Sequence, residues 1–264
     1  MNVLKLGGSL LTHKEERFSL REGILEKLGN EIQMAKDPTV VIHGGGSYGH
    51  PLAQEYKLQF GYKDPSQIKG VVLTRNAMTE FNRVVVEALS NVGLNAVSLQ
   101  TSSLAICNQK KILTFNTDLI TGFLKLGLLP VLYGDVVLDH KQGFCILSGD
   151  RIVTYLSKHL KPNRIILAID KDGIFDRDPV EDGATLIKEV NQDNYREVLT
   201  ILSKASKDVT GGLKGKLSEL LILASEGMES VIINGLVPGR LSKALLGNQV
   251  KGTRIKGGSY DDWI

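Results

Sequence analysis

The sequence predicts an α/β fold, a parallel or mixed sheet covered by helices, and three observations predict it. Short runs rich in aliphatic and β-branched residues alternate with longer stretches of helical period. Glycine clusters fall at the junctions between such runs, where a turn from strand to helix needs backbone freedom. Hydrophobic residues make up 42% of the 264 positions, enough for the sizeable core that such a sheet requires.

Taken in order, "NVLKL" reads as the first strand and "SLREGILEKLGNEIQMAK" as a helix, with Ser19 and Glu22 spaced as a capping box. "TVVIH" is the second strand. Pro51 suits the first turn of a short helix through "LAQEY". "GVVLTRNAMTEFNRVVVEALSNVG" has apolar residues at three- and four-residue intervals and predicts a long amphipathic helix, after which "NAVSLQ" returns to strand. "KILTF", a helix near "DLITGFLKLG", and a hairpin of "PVLYGDVVLD" with "GFCILSGD" follow. "DRIVTYLSKHL" is a helix, with Asp150 as its expected N-cap, and "RIILAI" is an apolar strand ending in the polar run "DKDGIFDRDPVEDG". A helix around "NYREVLTILSK" precedes "DVTGGLKGKLSELLILASEGM", where a glycine-rich turn opens another helix. "SVIIN", "GRLSKALLGN" and "GTRI" close the chain. With no linker or repeat, one domain spans residues 1–264, divided into lobes of 1–169 and 170–264 on one continuous sheet.

The totals exclude several functional classes. Lysine plus arginine exceed aspartate plus glutamate by 32 − 29 = 3, too small a basic excess for a nucleic-acid coat or a polybasic membrane anchor. The two cysteines, Cys107 and Cys145, stand in no C-x-x-C and beside no histidine pair, so they read as reduced thiols of a cytoplasmic protein. "MNVLKLGGSLL" is broken by Lys5 and two glycines, and no apolar run approaches the ~20 residues of a membrane span; a soluble, unprocessed chain is expected.

Three glycine-rich loops carry the chemistry: "KLGGS" (residues 5–9), "HGGGSYGHP" (43–51) and "TGGLKGK" (210–216). Glycine lets successive N–H groups turn toward an anion without a Cβ in the way, and a helix start adds partial positive charge. One such loop is ordinarily a tight turn, but three are harder to dismiss, and each is a plausible phosphate cradle, with lysines near the first and third. Lys14, Lys214 and Lys216 taken singly are ordinary surface lysines. Lys5 differs, because it interrupts an apolar strand and needs an anionic partner if it faces inward. Lysines converging on glycine loops are what phosphoryl transfer requires, since that reaction is mostly positioning and charge neutralisation. A Walker A loop and an H-R-D catalytic loop are both absent. Gly44, Gly46 and Gly49 match G-x-G-x-x-G, yet the acid that should close the next strand, Asp64, falls in the turn "GYKDPSQ".

"KLGGS", "HGGGSYGHP", "SGD" (148–150), "DKDGIFDRDP" (170–179) and "DVTGGLKGK" (208–216), in this order over almost the whole chain, resemble the amino acid kinase superfamily. Within it the Gly49-His50 version of the second loop resembles the branch acting on isopentenyl phosphate. Fosfomycin-type kinases, which phosphorylate a phosphonate, share a similar histidine loop and form the alternative. The resemblance implies an open αβα sandwich with a mainly parallel central sheet, commonly a homodimer. It implies transfer of the γ-phosphate of ATP, with Mg2+, to isopentenyl phosphate in an alternative mevalonate route of isoprenoid synthesis. Lys5, Gly7 and Gly8 match the loop touching the transferred phosphate, and Lys14 the lysine that neutralises the transition state. Gly45, Gly46 and His50 match the second cradle, His50 donating to the acceptor phosphate; Gly149 and Asp150 match the main-chain contact and the acid beside it. Asp170, the segment holding Phe175, Asp176, Asp178 and Pro179, and then Gly212 and Lys216 match ATP-binding positions. Tyr48 stands where the pattern often has phenylalanine, and "LLTHKEE" around Lys14 also departs from it.

The chemistry implied is self-consistent. A phosphate monoester with a second pKa near ~6 is already ionised at neutral pH, so its attacking oxygen needs no general base. His43, at the end of an apolar strand, reads as a core histidine, and His13, His140 and His159 have no ligand spacing. Asp170 ends a strand at the edge where α/β ligands bind, whereas Asp176 and Asp178 read as loop acids apart from the resemblance. No carboxylate pair is dedicated to Mg2+, whose ligands are then mainly phosphate oxygens and water. For the isoprenoid tail, Val72, Leu73, Met78, Phe81, Val85, Ile146 and Ile152 are candidates, and ordinary helix core is the better reading for most.

Overall fold

The strands that carry the glycine loops end side by side at one edge of a central sheet. The computed structural model describes residues 1–13, 15–205 and 212–258. Its main sheet has eight strands among the described residues, in the order Glu189–Val190, Gly252–Ile255, Ser230–Asn234, Arg164–Ile169, Asn2–Leu6, Thr39–His43, Leu129–Tyr133, Ala96–Ser98. All neighbours are parallel except Ser230–Asn234 and Gly252–Ile255. Asn2–Leu6 lies between Thr39–His43 and Arg164–Ile169, with Lys5 opposite Ile42 on one side and Leu167 on the other.

Helices cover both faces, and strand alternation decides which residue faces which. Val3, Ile42, Leu167 and Ile169 join a core beneath the helices Gly149–Leu160, Tyr195–Ala205 and Gly212–Ala224. Leu4, Leu6, Val41 and Ala168 join a second core beneath Ile24–Gln33, Ser66–Asn91 and Arg240–Leu245. Two residues on from Val3, Lys5 therefore points toward Gly149–Leu160. Beside the main sheet stands a four-stranded one in the order Lys111–Phe115, Ala105–Asn108, Asp135–Asp139, Gly143–Leu147. Asp139 fastens its turns by accepting from the N–H groups of Gln109, Lys110, Lys141 and Gln142.

Several expectations are corrected. The first long helix starts at Ile24, with Gly23 as N-cap, because Leu20 bridges Thr12 and Arg21 N–H donates to Leu11 O. Ser19 and Glu22 thus form no capping box; the Ser19 N–H instead donates to Ser47 Oγ. Pro51 lies inside Gly46–Glu55 rather than in its first turn. It is tolerated because the carbonyl its missing N–H would have sought, that of Ser47, accepts from Phe18 N–H. "PVLYGDVVLD" splits at Gly134 into a strand of each sheet, so only its second half forms the hairpin with Gly143–Leu147. Asp150 is not the cap of its helix: Ser148 is, its Oγ accepting from Arg151 N–H at 3.3 Å. Cys107 and Cys145 are buried free thiols, and among the described residues no helix is long and apolar enough to cross a membrane.

The helix Ser66–Asn91 crosses Gly46–Glu55 closely at Gly70, where a Cβ would stand 2.3 Å from the Tyr56 side chain. Alanine ordinarily favours a helix over glycine by ~1 kcal/mol. At this crossing the clash dominates, so Gly70→Ala is expected to destabilise by roughly 1–3 kcal/mol. Denaturant unfolding reads the sign, which a solvent-facing Gly122→Ala, with open space around its Cβ, should reverse.

Candidate active site

At the edge where the strands end, two glycine loops are pressed together main chain to main chain. After Leu6, Gly7 N–H donates to Ala168 O at 2.8 Å, and Gly8 opens the short helix Gly8–Leu11. After His43, Gly44 N–H donates to Leu6 O at 3.0 Å and Gly45 caps Gly46–Glu55. A Cβ on Gly8 would lie 2.4 Å from the Gly46 nitrogen, and one on Gly44 would lie 2.9 Å from that of Gly8. Gly46 has φ +49°, and Thr12 Oγ1 closes the junction by donating to Gly8 O and accepting from Ser47 N–H. The His50 ring lies over Gly45, its Cδ2 3.1 Å from where that residue's Cβ would stand.

A third helix start completes the arrangement. A Cβ on Gly149, first residue of Gly149–Leu160, would sit 3.3 Å from both His43 O and the Lys5 side chain. The helix start at Gly149 thus lies against the end of the Lys5 side chain and the helix start at Gly46 lies against Gly8, and helix starts are suited to phosphate oxygens.

Two lysines here share one carboxylate. Lys5, fully buried within the sheet, donates from Nζ to Asp150 Oδ1 at 2.5 Å, and Lys216 Nζ stands 3.4 Å from Asp150 Oδ2. Lys216 reaches it because Gly212–Ala224 packs along Gly149–Leu160, with Arg151 3.5 Å from Glu219 and Thr154 donating to Glu219 O. Burial pulls Lys5 down to about 8, and Lys216 pulls the same way, against the opposing charge of Asp150. Burial would raise the Asp150 carboxyl, but the two lysines outweigh it and hold it below its ordinary value. Two ammonium groups around one acid leave a net positive pocket.

Asp170 is tied to the same edge, since Ser9 Oγ donates to its Oδ1 at 2.7 Å. Phe175, Asp176, Asp178 and Pro179 follow on a hairpin in which Ile174–Phe175 pairs with Leu186–Ile187. There Asp176 accepts from Thr185 N–H and Asp178 from Val180 N–H, as loop acids do. Gly212 opens its helix; Lys14 lies outside the described residues. His43 is buried, with Nδ1 3.1 Å from Gly44 O and Nε2 3.1 Å from Asn82, and burial lowers it to about 4, so it is a neutral core histidine. Tyr48 stacks on Phe81 and meets Phe18 edge-on. Of the apolar tail candidates, Met78, Phe81, Val85 and Ile152 belong to the cores, Ile146 is half-buried and Val72 and Leu73 are exposed.

Sequence reasoning missed three contributors to the site and one charged cluster two residues on from Asp170. Ser9 and Thr12 are visible only as small polar residues after a glycine pair. Ser148 carries the cap signal, three residues before Arg151. Asp172, which accepts from Arg240 (2.5 Å), Lys251 (2.7 Å) and Asn234 (3.2 Å), has no local signal, because its partners come from distant parts of the chain.

Comparison with known proteins gives a concordant picture. The model of the "Amino acid kinase family" matches residues 1–234. The chain is 39% identical to the isopentenyl phosphate kinase of Methanothermobacter thermautotrophicus over 97% of this chain and 99% of that one. It is 36% identical to the enzyme of that name from Methanocaldococcus jannaschii, over 97% and 98%. A crystal structure of isopentenyl phosphate kinase superposes with a TM-score of 0.84 at 36% identity, over 97% of this chain and 99% of that one. A substrate complex of isopentenyl phosphate kinase gives a TM-score of 0.79 at 26% identity.

Lys5 binds its proton less readily in the fold than at its unfolded value of 10.5. Between pH about 8 and 10.5 the unfolded chain therefore holds more protons, and this residue's contribution to stability rises with pH across that window. Urea midpoints at the two ends of the window should show the rise in wild type and its loss in Lys5→Met.

Proposed function

This chain belongs to the amino acid kinase family, in its isopentenyl phosphate kinase branch, and from that premise we propose that it transfers the γ-phosphate of ATP to isopentenyl phosphate. The products are ADP and isopentenyl diphosphate, the latter for isoprenoid synthesis by an alternative mevalonate route. The observation that carries the reading is the buried Lys5–Asp150–Lys216 group set among glycine helix starts with His50 across Gly45. Such a pocket attracts two phosphates at once and offers N–H donors and cations where their repulsion must be overcome.

Each residue has an assigned part. Gly7, its own N–H held by Ala168 O, gives the loop its turn, and Gly8 and Gly46 offer ATP's terminal phosphate a main-chain surface that no Cβ obstructs. Gly45, Gly149 and the His50 ring hold the acceptor's phosphate. Lys5 and Lys216 neutralise charge on the group in flight, and Asp150 keeps their ammonium groups apart and aimed. Lys14 is assigned the remaining charge of the transition state. Asp170, Phe175, Asp176, Asp178, Pro179 and Gly212 are assigned to the nucleotide, so that ATP occupies the lobe 170–264 and the acceptor the lobe 1–169. Because the acceptor oxygen is ionised at neutral pH (second pKa near ~6), no side chain has to remove a proton. Among the described residues no group of three His, Cys, Asp or Glu side chains is arranged to hold a metal. Mg2+ is assigned to ATP's phosphate oxygens and water. A homodimer and a cytoplasmic location complete the proposal.

Purified protein with ATP, Mg2+ and isopentenyl phosphate should release ADP, and absence of turnover overturns the reading; faster turnover of fosfomycin would favour the phosphonate alternative. His50→Ala should lose about 1.5–3 kcal/mol of acceptor binding, a roughly ten- to hundred-fold higher KM for isopentenyl phosphate, because a charge-assisted hydrogen bond to phosphate is lost. Lys5 must be charged to neutralise phosphate, so kcat/KM should fall on an alkaline limb near pH 8, set by the free enzyme. Bound phosphates favour the protonated lysine, and the corresponding limb of kcat should lie at higher pH.

A further inference from the structure

The helix Ser66–Asn91 touches both halves of the acceptor cradle, and a buried polar group it shares with them has no part in the assignments above. On one side Met78 is packed so closely on Gly49, next to His50, that a Cβ there would meet its sulfur at 2.7 Å. On the other side, Arg75 Nη2 donates to Ser102 Oγ at 2.8 Å, and Ser102 lies against the carboxylate of Asp135. Asp135 directly follows Gly134, whose N–H donates to His43 O at 3.1 Å and whose missing Cβ would lie 3.2 Å from the Gly149 nitrogen. Thr101 fastens the same turn by donating to Tyr133 O at 2.5 Å. One helix face thus bears on Gly49-His50 through Met78 and on Gly134-Gly149 through Arg75.

The group is expensive for the fold. Asp135 is 2% exposed; Val136 N–H donates to its Oδ1, Ser102 lies beside it, and among the described residues its Oδ2 has no hydrogen-bond partner. Among the described residues Arg75 Nε and Thr74 Oγ1 are likewise buried without partners, and Arg75 reaches Asp135 through Ser102 rather than by a direct ion pair. Burial pushes the Asp135 carboxyl above its ordinary value, against the pull of Ser102, the Val136 N–H and the Arg75 charge. An apolar or neutral residue would serve stability as well or better, since a buried carboxylate met by one main-chain N–H and linked to its arginine through a hydroxyl is poorly compensated.

We propose that Arg75, Ser102 and Asp135 form a positioning relay that holds the Gly134 turn, and with it Gly149, at the distance from His50 that the acceptor phosphate requires. The inference rests on the proposed activity and goes beyond it by naming residues outside the phosphate contacts. The relay touches only the acceptor side, so its loss should leave the nucleotide side intact.

The test measures KM for isopentenyl phosphate, KM for ATP and melting temperature in wild type, Asp135→Asn, Arg75→Met and the double variant. Asp135→Asn and Arg75→Met should each raise KM for isopentenyl phosphate about tenfold, with KM for ATP within about twofold and no drop in melting temperature for Asp135→Asn. The double variant should be no worse than either single one, because both break one relay. Arg75→Lys, which keeps a donor for Ser102, should recover most of the loss. Unchanged KM values, an equal rise for both substrates, or single effects that multiply would each overturn the relay. Should Asp135→Asn not fold, Ser102→Ala reads the same split. Wild type without turnover overturns the activity itself, whereas wild-type turnover with indifferent variants overturns the relay alone.

Discussion

Everything at the site depends on a lysine ammonium placed inside a β-sheet. Lys5 stands in a central strand between Ile42 and Leu167, where an unpaired charge would cost more than the fold could bear. Asp150 makes the placement possible, and it can do so because strand alternation sends Lys5 to the face that Gly149–Leu160 covers. From this pair the neighbouring structure follows. The helix begins close to the strand end, so glycine suits its first residue, since a Cβ there would crowd His43 O and the Lys5 side chain at 3.3 Å. The carboxylate's second oxygen then takes Lys216 from another helix, which joins the two lobes through one acid.

The glycine loops are constrained from both sides. The contacts of Gly8 with Gly46 and of Gly44 with Gly8 are backbone against backbone, so side chains are excluded whether or not an anion is present. The same closeness that forbids a Cβ brings the main chains of the two turns together at one sheet edge. This separates the loop from the dinucleotide fingerprint it resembles on paper. In that fold the third glycine serves helix–strand packing; here Gly49 makes room for Met78 of another helix, and Gly45 makes room for the ring of His50.

Much of the fold was legible because strand and helix periods differ and because glycine marks the junctions. "RIILAI", "TVVIH" and "DRIVTYLSKHL" each declare their state locally. Errors arose where a distant partner overrode a local signal. Ser19 and Glu22 spell a capping box, but Ser47 and Leu11 capture that backbone. Pro51 signals a first turn, yet Phe18 satisfies the carbonyl that its ring leaves unpaired. At the site, Lys5 was legible as an inward lysine, because a single charge in an apolar strand demands a partner. That the partner is Asp150, with Lys216 on its other oxygen, was not, because the pairings span 145 and 66 residues. Asp135 and Asp172 were invisible for the same reason.

The acceptor's own charge explains why the site is poor in carboxylates. A hydroxyl acceptor asks its enzyme for an acid positioned as a base, and such an acid would repel the incoming phosphates. A phosphate acceptor brings its nucleophile already ionised, so the protein's task reduces to holding two anions together. Lysines, helix starts and a histidine suit that task. The acids present either pair inward with lysine, as Asp150 does, or are bound by a loop hydroxyl, as Asp170 is by Ser9. Asp150 offsets only part of the charge of Lys5 and Lys216, and that residual positive charge is what the bound phosphates balance. The pocket therefore favours phosphate before either substrate arrives, which lets binding energy be spent on bringing the reacting phosphates into contact.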